Sequence, residues 1–444
     1  MTRRATILLV VAAIVAVPSI VLQATCPGDS CARSGPVRTP FCSLPEDLRT
    51  KIAAGYREGR SPDVLAVTGG TGVVGSVPAV GAPTTVGSWP STSSPIDPTI
   101  PIVFWGAGVR PASNVPAGAE LRQIAPTIAE ILRFQRPFPG VRSGRPIPGI
   151  AGPDVPRLVL EVVWKGVGTA ELEHDPDAWP FLRGLVSSGA GTLDGEIGSL
   201  PMDPAAGLTT IGTGGLPSEH GITGGWFRGD RGEVVAAWAA GAPTSVIATL
   251  PDDLDRAFSQ RPLIGIVGSD PADRGIVGSG WYAERDRDDR VTAANRRARL
   301  RAANRLLGNG YGRDDVPDVL AVVMEGSVGS LDAELRRTVR AARSATTGQV
   351  LIVVTATGAW TAPGSGQIEA ADLERTLETE IATDEPLIQA VVPTGFYLDQ
   401  RAMTAAGVTG QIAQDAALAA RGPDRSAIFV DAFQGFAVSF GRYC

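Results

Sequence analysis

Residues 199–225 read SLPMDPAAGLTTIGTGGLPSEHGITGG. Asp203 followed by Pro204 predicts a helix start. The carboxylate can accept from the first free N–H groups, and proline at the first helical position gives up a donor that would have no partner there. The small-residue run 205–213 continues that helix, and the Gly214-Gly215 pair ends it. A helix N-terminus beneath a strand-end loop gathers unpaired N–H groups and the positive end of the dipole, which suits a phosphate. Spacing alone favours the plainer reading, a short packed helix.

Outward from this stretch the chain alternates. An apolar strand over 157–164 ends at Lys165-Gly166, and a helix near 179–188 follows it. Further strands are predicted at 62–67, 100–106, 244–249, 263–267, 319–324 and 350–355. Helices are predicted at 46–61, 121–134 and 291–308. The hexamer PDVLAV occurs twice, at 62–67 and 317–322, each time after a helix, as parallel strands of a doubly wound sheet would. Residues 68–99 are rich in Gly, Pro, Ser and Thr and read as loop, and 135–156 as a linker. The charged run RDRDDR at 285–290 reads as a solvated face.

The first 24 residues carry Arg3 and Arg4 and then a mostly apolar run, at the margin between a signal peptide and a membrane anchor. This predicts export, with an uncleaved anchor favoured. Residues 25–45 form a cysteine-containing linker. About 420 residues follow the apolar segment, enough for one large α/β domain or two smaller ones. The net charge of −6 argues against nucleic-acid binding. Lysine occurs only at Lys51 and Lys165, and the abundance of Arg, Ala, Gly and Val suggests a GC-rich bacterial source. Cys26, Cys31, Cys42 and Cys444 make an even count in an exported chain, hence disulfides, with three connectivities open.

TTIGTGGLPSEHGITG resembles the nucleophile helix and following turn of the alkaline phosphatase superfamily, in its phosphodiesterase/nucleotide pyrophosphatase branch. IPIVFWGAGVRP, QIAPTIAEIL and RSGRPIPGI resemble that family's C-terminal portion, and LVLEVVWKGVG its opening strand. The pieces stand in rotated order. The resemblance therefore implies one circularly permuted domain over 46–444, with 46–150 as the family's C-terminal half and 157–444 as its N-terminal half. It implies a three-layer α/β/α sandwich with a mostly parallel central sheet. Permutation would also place the chain ends side by side, which selects Cys42–Cys444, with Cys26–Cys31 closing a small loop.

Active members resemble one another in holding two divalent metals with Asp and His at strand ends. Here Lys165 stands at the metal-binding Asp of the opening strand, and Asp203 at the nucleophile. Gly207 stands at a His one turn later, and Thr357 and Gly358 at an Asp-His pair. Val86 stands at the late His, and Glu325 is the nearest acid to another ligand pair. The chain has two histidines, His174, read as solvent-facing, and His220, read as a hydrogen-bonded turn residue. The implied protein is an envelope relative that has lost its metals and nucleophile and binds an unidentified partner or ligand. The alternative is a phosphodiesterase with a non-standard carboxylate site for Zn²⁺ or Mn²⁺. Because the family brings these positions together around its metals, the resemblance also implies that Lys165 faces Asp203, with Glu325 nearby.

Overall fold

The computed structural model describes residues 40–68, 72–79, 82–86, 98–282, 287–358, 367–382, 386–392, 394–422, 425 and 427–444. The side chains of 67–68, 72–79, 82–86, 367–370, 430 and 442 are not among them. Residues 36–444 form one compact unit. Cys26 and Cys31, with the apolar N-terminal segment, lie outside the described residues, so their pairing is not visible.

A seven-stranded sheet forms the centre. Its order is Asp289–Thr292, Ile264–Gly268, Asp318–Met324, Leu158–Trp164, Val350–Ala356, Thr99–Gly106, Ala190–Glu196. The first five run parallel, and only Thr99–Gly106 opposes its neighbours. The three middle strands are buried along their whole length, as continuous Val, Leu and Ile runs in a covered parallel sheet require. Helices surround the sheet: Arg296–Gly308 and Val328–Ala345 pack on each other and on its strands, and Ile124–Ile131 and Leu250–Ala257 pack on Pro204–Thr213. The α/β architecture read from the sequence, with a mostly parallel central sheet, is the one observed.

Several local expectations change. The first PDVLAV does not join the central sheet. Its strand, Val64–Thr68, lies between Gly395–Leu398 and Phe429–Gln434 in a separate antiparallel sheet. Asp63, just before it, accepts both Arg228 guanidinium nitrogens and the Leu398 N–H, tying that sheet to the hairpin strand Trp226–Arg228. The predicted strand over 244–249 is instead the lead into helix Leu250–Ala257. Thr249 and Asp252 close a capping box there, which satisfies the N–H groups that a strand would need to pair elsewhere. Residues 135–156 are not a linker. Arg136 is buried and donates to Asp253, Thr213 O and Ala248 O, and Ile147 and Ile150 are core residues. In the charged run, Asp288 has a side chain only 5 % exposed, and burial with its acidic neighbours lifts its carboxyl to about 7. Asp289 and Arg290 lie in the sheet's edge strand, and Arg287 is exposed just before it.

Cys42 and Cys444 are bonded, with Cα atoms 5.3 Å apart and a separation of 402 positions along the chain. Phe41 packs edge-on against Phe433, so the same seam carries apolar burial. A cross-link over so long a loop constrains the unfolded chain strongly. Cys444→Ser is expected to cost about 2–4 kcal/mol, read as a shift in the guanidinium midpoint under non-reducing conditions. An unchanged midpoint would show the seam holds without the bond.

Candidate functional site

The three middle strands end in register, with Trp164 opposite Met324 and Ala356. Lys165, Glu325 and Thr357 therefore emerge together at the carboxyl edge, the place where open parallel sheets form crevices. Two neighbouring pieces complete the surroundings. One is the 3-10 turn Pro271–Ile276 after strand Ile264–Gly268, and the other is the N-terminus of helix Pro204–Thr213.

The Lys165 ammonium lies 3.1 Å from Asp273 Oδ1, and the two side chains are 8 % and 2 % exposed. Burial alone would favour the neutral amine. The charge and hydrogen bond of Asp273, with Asp270 and Glu325 beyond, outweigh it and hold the amine more basic than usual. The second Asp273 oxygen accepts from the N–H groups of Ser269 and Asp270, at 2.8 and 2.9 Å. Asp270 in turn caps Ala272 N. The Ser269 hydroxyl also donates to Glu325 Oε2, 3.1 Å away.

Asp203 is the predicted cap. One oxygen accepts from Ala205 N and Ala206 N, and the other from Gly225 N at 3.0 Å. Burial raises its carboxyl above the ordinary range, while these three N–H groups and the Lys165 charge pull it back part of the way. The expected Lys165–Asp203 ion pair is thus corrected: Lys165 bonds Asp273, and Asp203 spends its oxygens on backbone. Asp273 was not singled out in the sequence, although S-D-P-A-D at 269–273 has the same Asp-Pro helix-start pattern as 203–204. The pairing partner sits 108 residues away along the chain, and only the sheet order brings it near.

Thr357 and Gly358 hold the Lys165 loop and do not face outward as ligands. Thr357 Oγ1 accepts from Gly166 N, and its N–H donates to Trp164 O; Gly358 N donates to Val167 O. Val86 ends strand Ala82–Val86, which belongs to a separate three-stranded sheet, and its side chain lies outside the described residues. His220 is fully buried. Its Nδ1 accepts from Ile222 N and its Nε2 lies 3.1 Å from Thr210 Oγ1, so the proton sits on Nε2. Burial, then Arg57, lowers its pKa to about 3, and it staples the turn to the helix as a neutral ring. His174 is exposed, at the end of helix Thr169–His174.

Glycine sets the distance between the helix and the Asp273 turn. A Cβ at Gly212 would collide with Ile276 O, and one at Gly275 with the Thr209 hydroxyl. Gly207, by contrast, has only Leu121 Cδ1 nearby, at an ordinary 3.7 Å. Gly212→Ala is expected to cost about 1–3 kcal/mol. Gly207→Ala is expected to gain about 0.5–1 kcal/mol, because alanine loses less backbone freedom in a helix. Urea titrations of the two variants test the pair, and equal effects would refute the close-packing account.

These residues do not fit the two-metal centre that the sequence resemblance implies. An ammonium occupies the first ligand position, Thr357 and Gly358 offer no charged donor, and Asp273 is already engaged on both oxygens. Among the described residues, no group of three or more His, Cys, Asp or Glu is arranged to hold a metal ion.

No family model matches the chain. Over 105 residues it is 38 % identical to a calcium-transporting ATPase of Myroides odoratus, a match covering 24 % of this chain and 18 % of that protein. The matched stretch thus spans less than a fifth of that relative's length. Among solved structures, it is similar to the alkaline phosphatase PafA at a TM-score of 0.46 and 15 % identity, over 60 % of this chain and 76 % of that one. A multiply substituted form of the same phosphatase gives 0.44 and 16 %, with the same coverage.

Proposed function

We propose that this protein is an exported, alkaline phosphatase-like module of the cell envelope that binds a partner or ligand and does not hydrolyse phosphate esters. The observation that carries the reading is the buried Lys165–Asp273 pair at the strand ends. A divalent metal placed beside a buried ammonium is strongly repelled where solvent cannot screen the charges. Asp203 is bound to three N–H groups as a helix cap, which leaves its oxygens poorly placed for attack on phosphorus. Export rests on the apolar segment within residues 1–24, and the Cys42–Cys444 bond fits an oxidising compartment. Among the described residues, no helix is long and apolar enough to cross a membrane.

One observation favours a second reading. Asp270, Asp273 and Glu325 all act on the Lys165 charge, and Lys165 in turn on Asp203. Were Lys165 to withdraw, those acids could receive Mn²⁺ or Zn²⁺ as a carboxylate phosphodiesterase centre. Purified protein assayed on aryl phosphate mono- and diesters with Zn²⁺, Mn²⁺ and Mg²⁺ separates the two. The expected result is no metal-dependent turnover, and none altered by Asp203→Ala. Turnover that needs metal and vanishes in Asp203→Ala would establish the enzyme instead.

A further inference from the structure

Two helices on one face of the central sheet, Arg296–Gly308 and Val328–Ala345, pack side by side. Their inner polar groups are paired. Arg299 donates to both Glu334 oxygens, at 3.0 and 2.9 Å, and Arg296 to the Ser330 hydroxyl. Asp332 accepts the Phe181 and Leu182 N–H groups that open helix Pro180–Ser188. Asp332 and Glu334 are the only acids of the two helices, and both are buried. The outer side carries only the opposite charge. Arg296, Arg297, Arg301 and Arg305 are exposed on the first helix. Arg336, Arg337, Arg340 and Arg343 are exposed on the second. Among the described residues, none of these eight is ion-paired. Eight guanidinium groups thus share one face of a chain whose net charge is −6.

The chemistry of the face selects its partner. Residues four apart on a helix rise about 6 Å, so Arg297, Arg301 and Arg305 form one row, and Arg336 and Arg340 part of a second. Each guanidinium is a planar fork that grips phosphate oxygens in pairs. None of the large apolar side chains exposed among the described residues belongs to either helix. A protein partner would find no apolar centre to bury, and a bilayer nothing to take below its headgroups. Bases would find no exposed ring to stack on. Acids stand beyond the ends of the face. Asp175 shares a cavity wall with Ser327, Val328 and Gly329, and exposed Asp314 and Asp315 lie past Gly308. A rigid anionic plane extended past the helices meets these acids, whereas a flexible strand need touch only the rows between them. Affinity on such a face comes from release of the strand's counterions.

We infer that this double row of arginines binds a linear phosphate polymer that is flexible, lacks bases and is charged at every repeat. On the exported reading of the protein, duplex nucleic acid lies in another compartment. The full chain in dodecyl maltoside micelles is titrated into fluorescein-labelled inorganic polyphosphate, with anisotropy reporting binding. With about six of the arginines engaged, log K falls against log salt with a slope of about −4, a loss on the order of 300-fold between about 50 and 200 mM salt. Arg301→Gln, Arg305→Gln, Arg336→Gln and Arg340→Gln together should bring the slope to about −1.5 and weaken binding at least about tenfold at the lower salt. The control set Arg110→Gln, Arg231→Gln, Arg375→Gln and Arg401→Gln removes the same charge from other elements and should leave both quantities near the parent's. Absence of binding, or tighter binding of polyglutamate or duplex DNA, overturns the inference. So does displacement of the polyphosphate by phosphatidylglycerol added to the micelles, or an equal loss in the two variants. The aryl phosphate assay reads hydrolysis separately, so failure here leaves the reading of the Lys165 site standing.

Discussion

Lys165→Met is expected to destabilise the protein by about 3–5 kcal/mol at pH 8, because it strands the Asp273 carboxylate in a site only 2 % exposed. The loss is larger than for an exposed ion pair, which is worth under about 1 kcal/mol. Its pH dependence gives the cause away. With the ammonium present, the folded pKa of Lys165 is raised, so its contribution persists throughout the neutral range and fades only as pH climbs past the ordinary lysine value. The deficit of Lys165→Met should therefore hold across the neutral range and shrink only above the ordinary lysine pKa, about 10.4. Denaturant titrations from pH 6 to pH 11 check the expectation. A deficit below about 1 kcal/mol that does not change with pH would mean that the pair is solvated.

That pair also marks how far the sequence could be read. The Asp203-Pro204 cap, the glycine-ended helix and the apolar strands around Lys165 follow from local spacing, and each is where spacing places it. The sheet order is not local. The two PDVLAV hexamers carry the same pattern, and in both the aspartate accepts backbone N–H groups. Yet Asp318 serves Leu263 and Gly312 in the central sheet, whereas Asp63 serves Leu398 in the other. Nothing within six residues distinguishes those fates, because they depend on which distant strand arrives alongside. Residues 135–156 misled for a related reason. Proline and glycine suggested a tether, while Arg136 finds its partners 77 to 117 residues further on. The emptied ligand positions were legible as residue types. What fills them was not, since Asp273 reaches Lys165 only once strands Leu158–Trp164, Asp318–Met324 and Ile264–Gly268 are aligned.

One buried acid escaped notice because it interrupts an apolar run. Glu161 lies mid-strand in Leu158–Trp164, opposite Ala321 on one side and Val353 on the other, and is 3 % exposed. Burial pushes its carboxyl up to about 8. In the unfolded chain it would ionise near the usual glutamate value, about 4.3. Between those limits the folded protein holds a proton that the unfolded chain releases, so stability falls as pH rises and levels off above about 8. Glu161→Gln keeps the shape and removes the titration. The variant is expected to match the parent near pH 4.5 and to exceed it by about 3–5 kcal/mol at pH 8.5. His220 works in the opposite direction. Its lowered pKa means that stability is lost as pH falls from the ordinary histidine value toward about 3. Both proteins contain His220, so the difference between their stability curves isolates Glu161. Guanidinium midpoints at half-unit pH steps measure that difference. If it stays flat from pH 4.5 to 8.5, Glu161 is ionised in the folded sheet, and its charge must be met by a partner that the strand geometry does not provide.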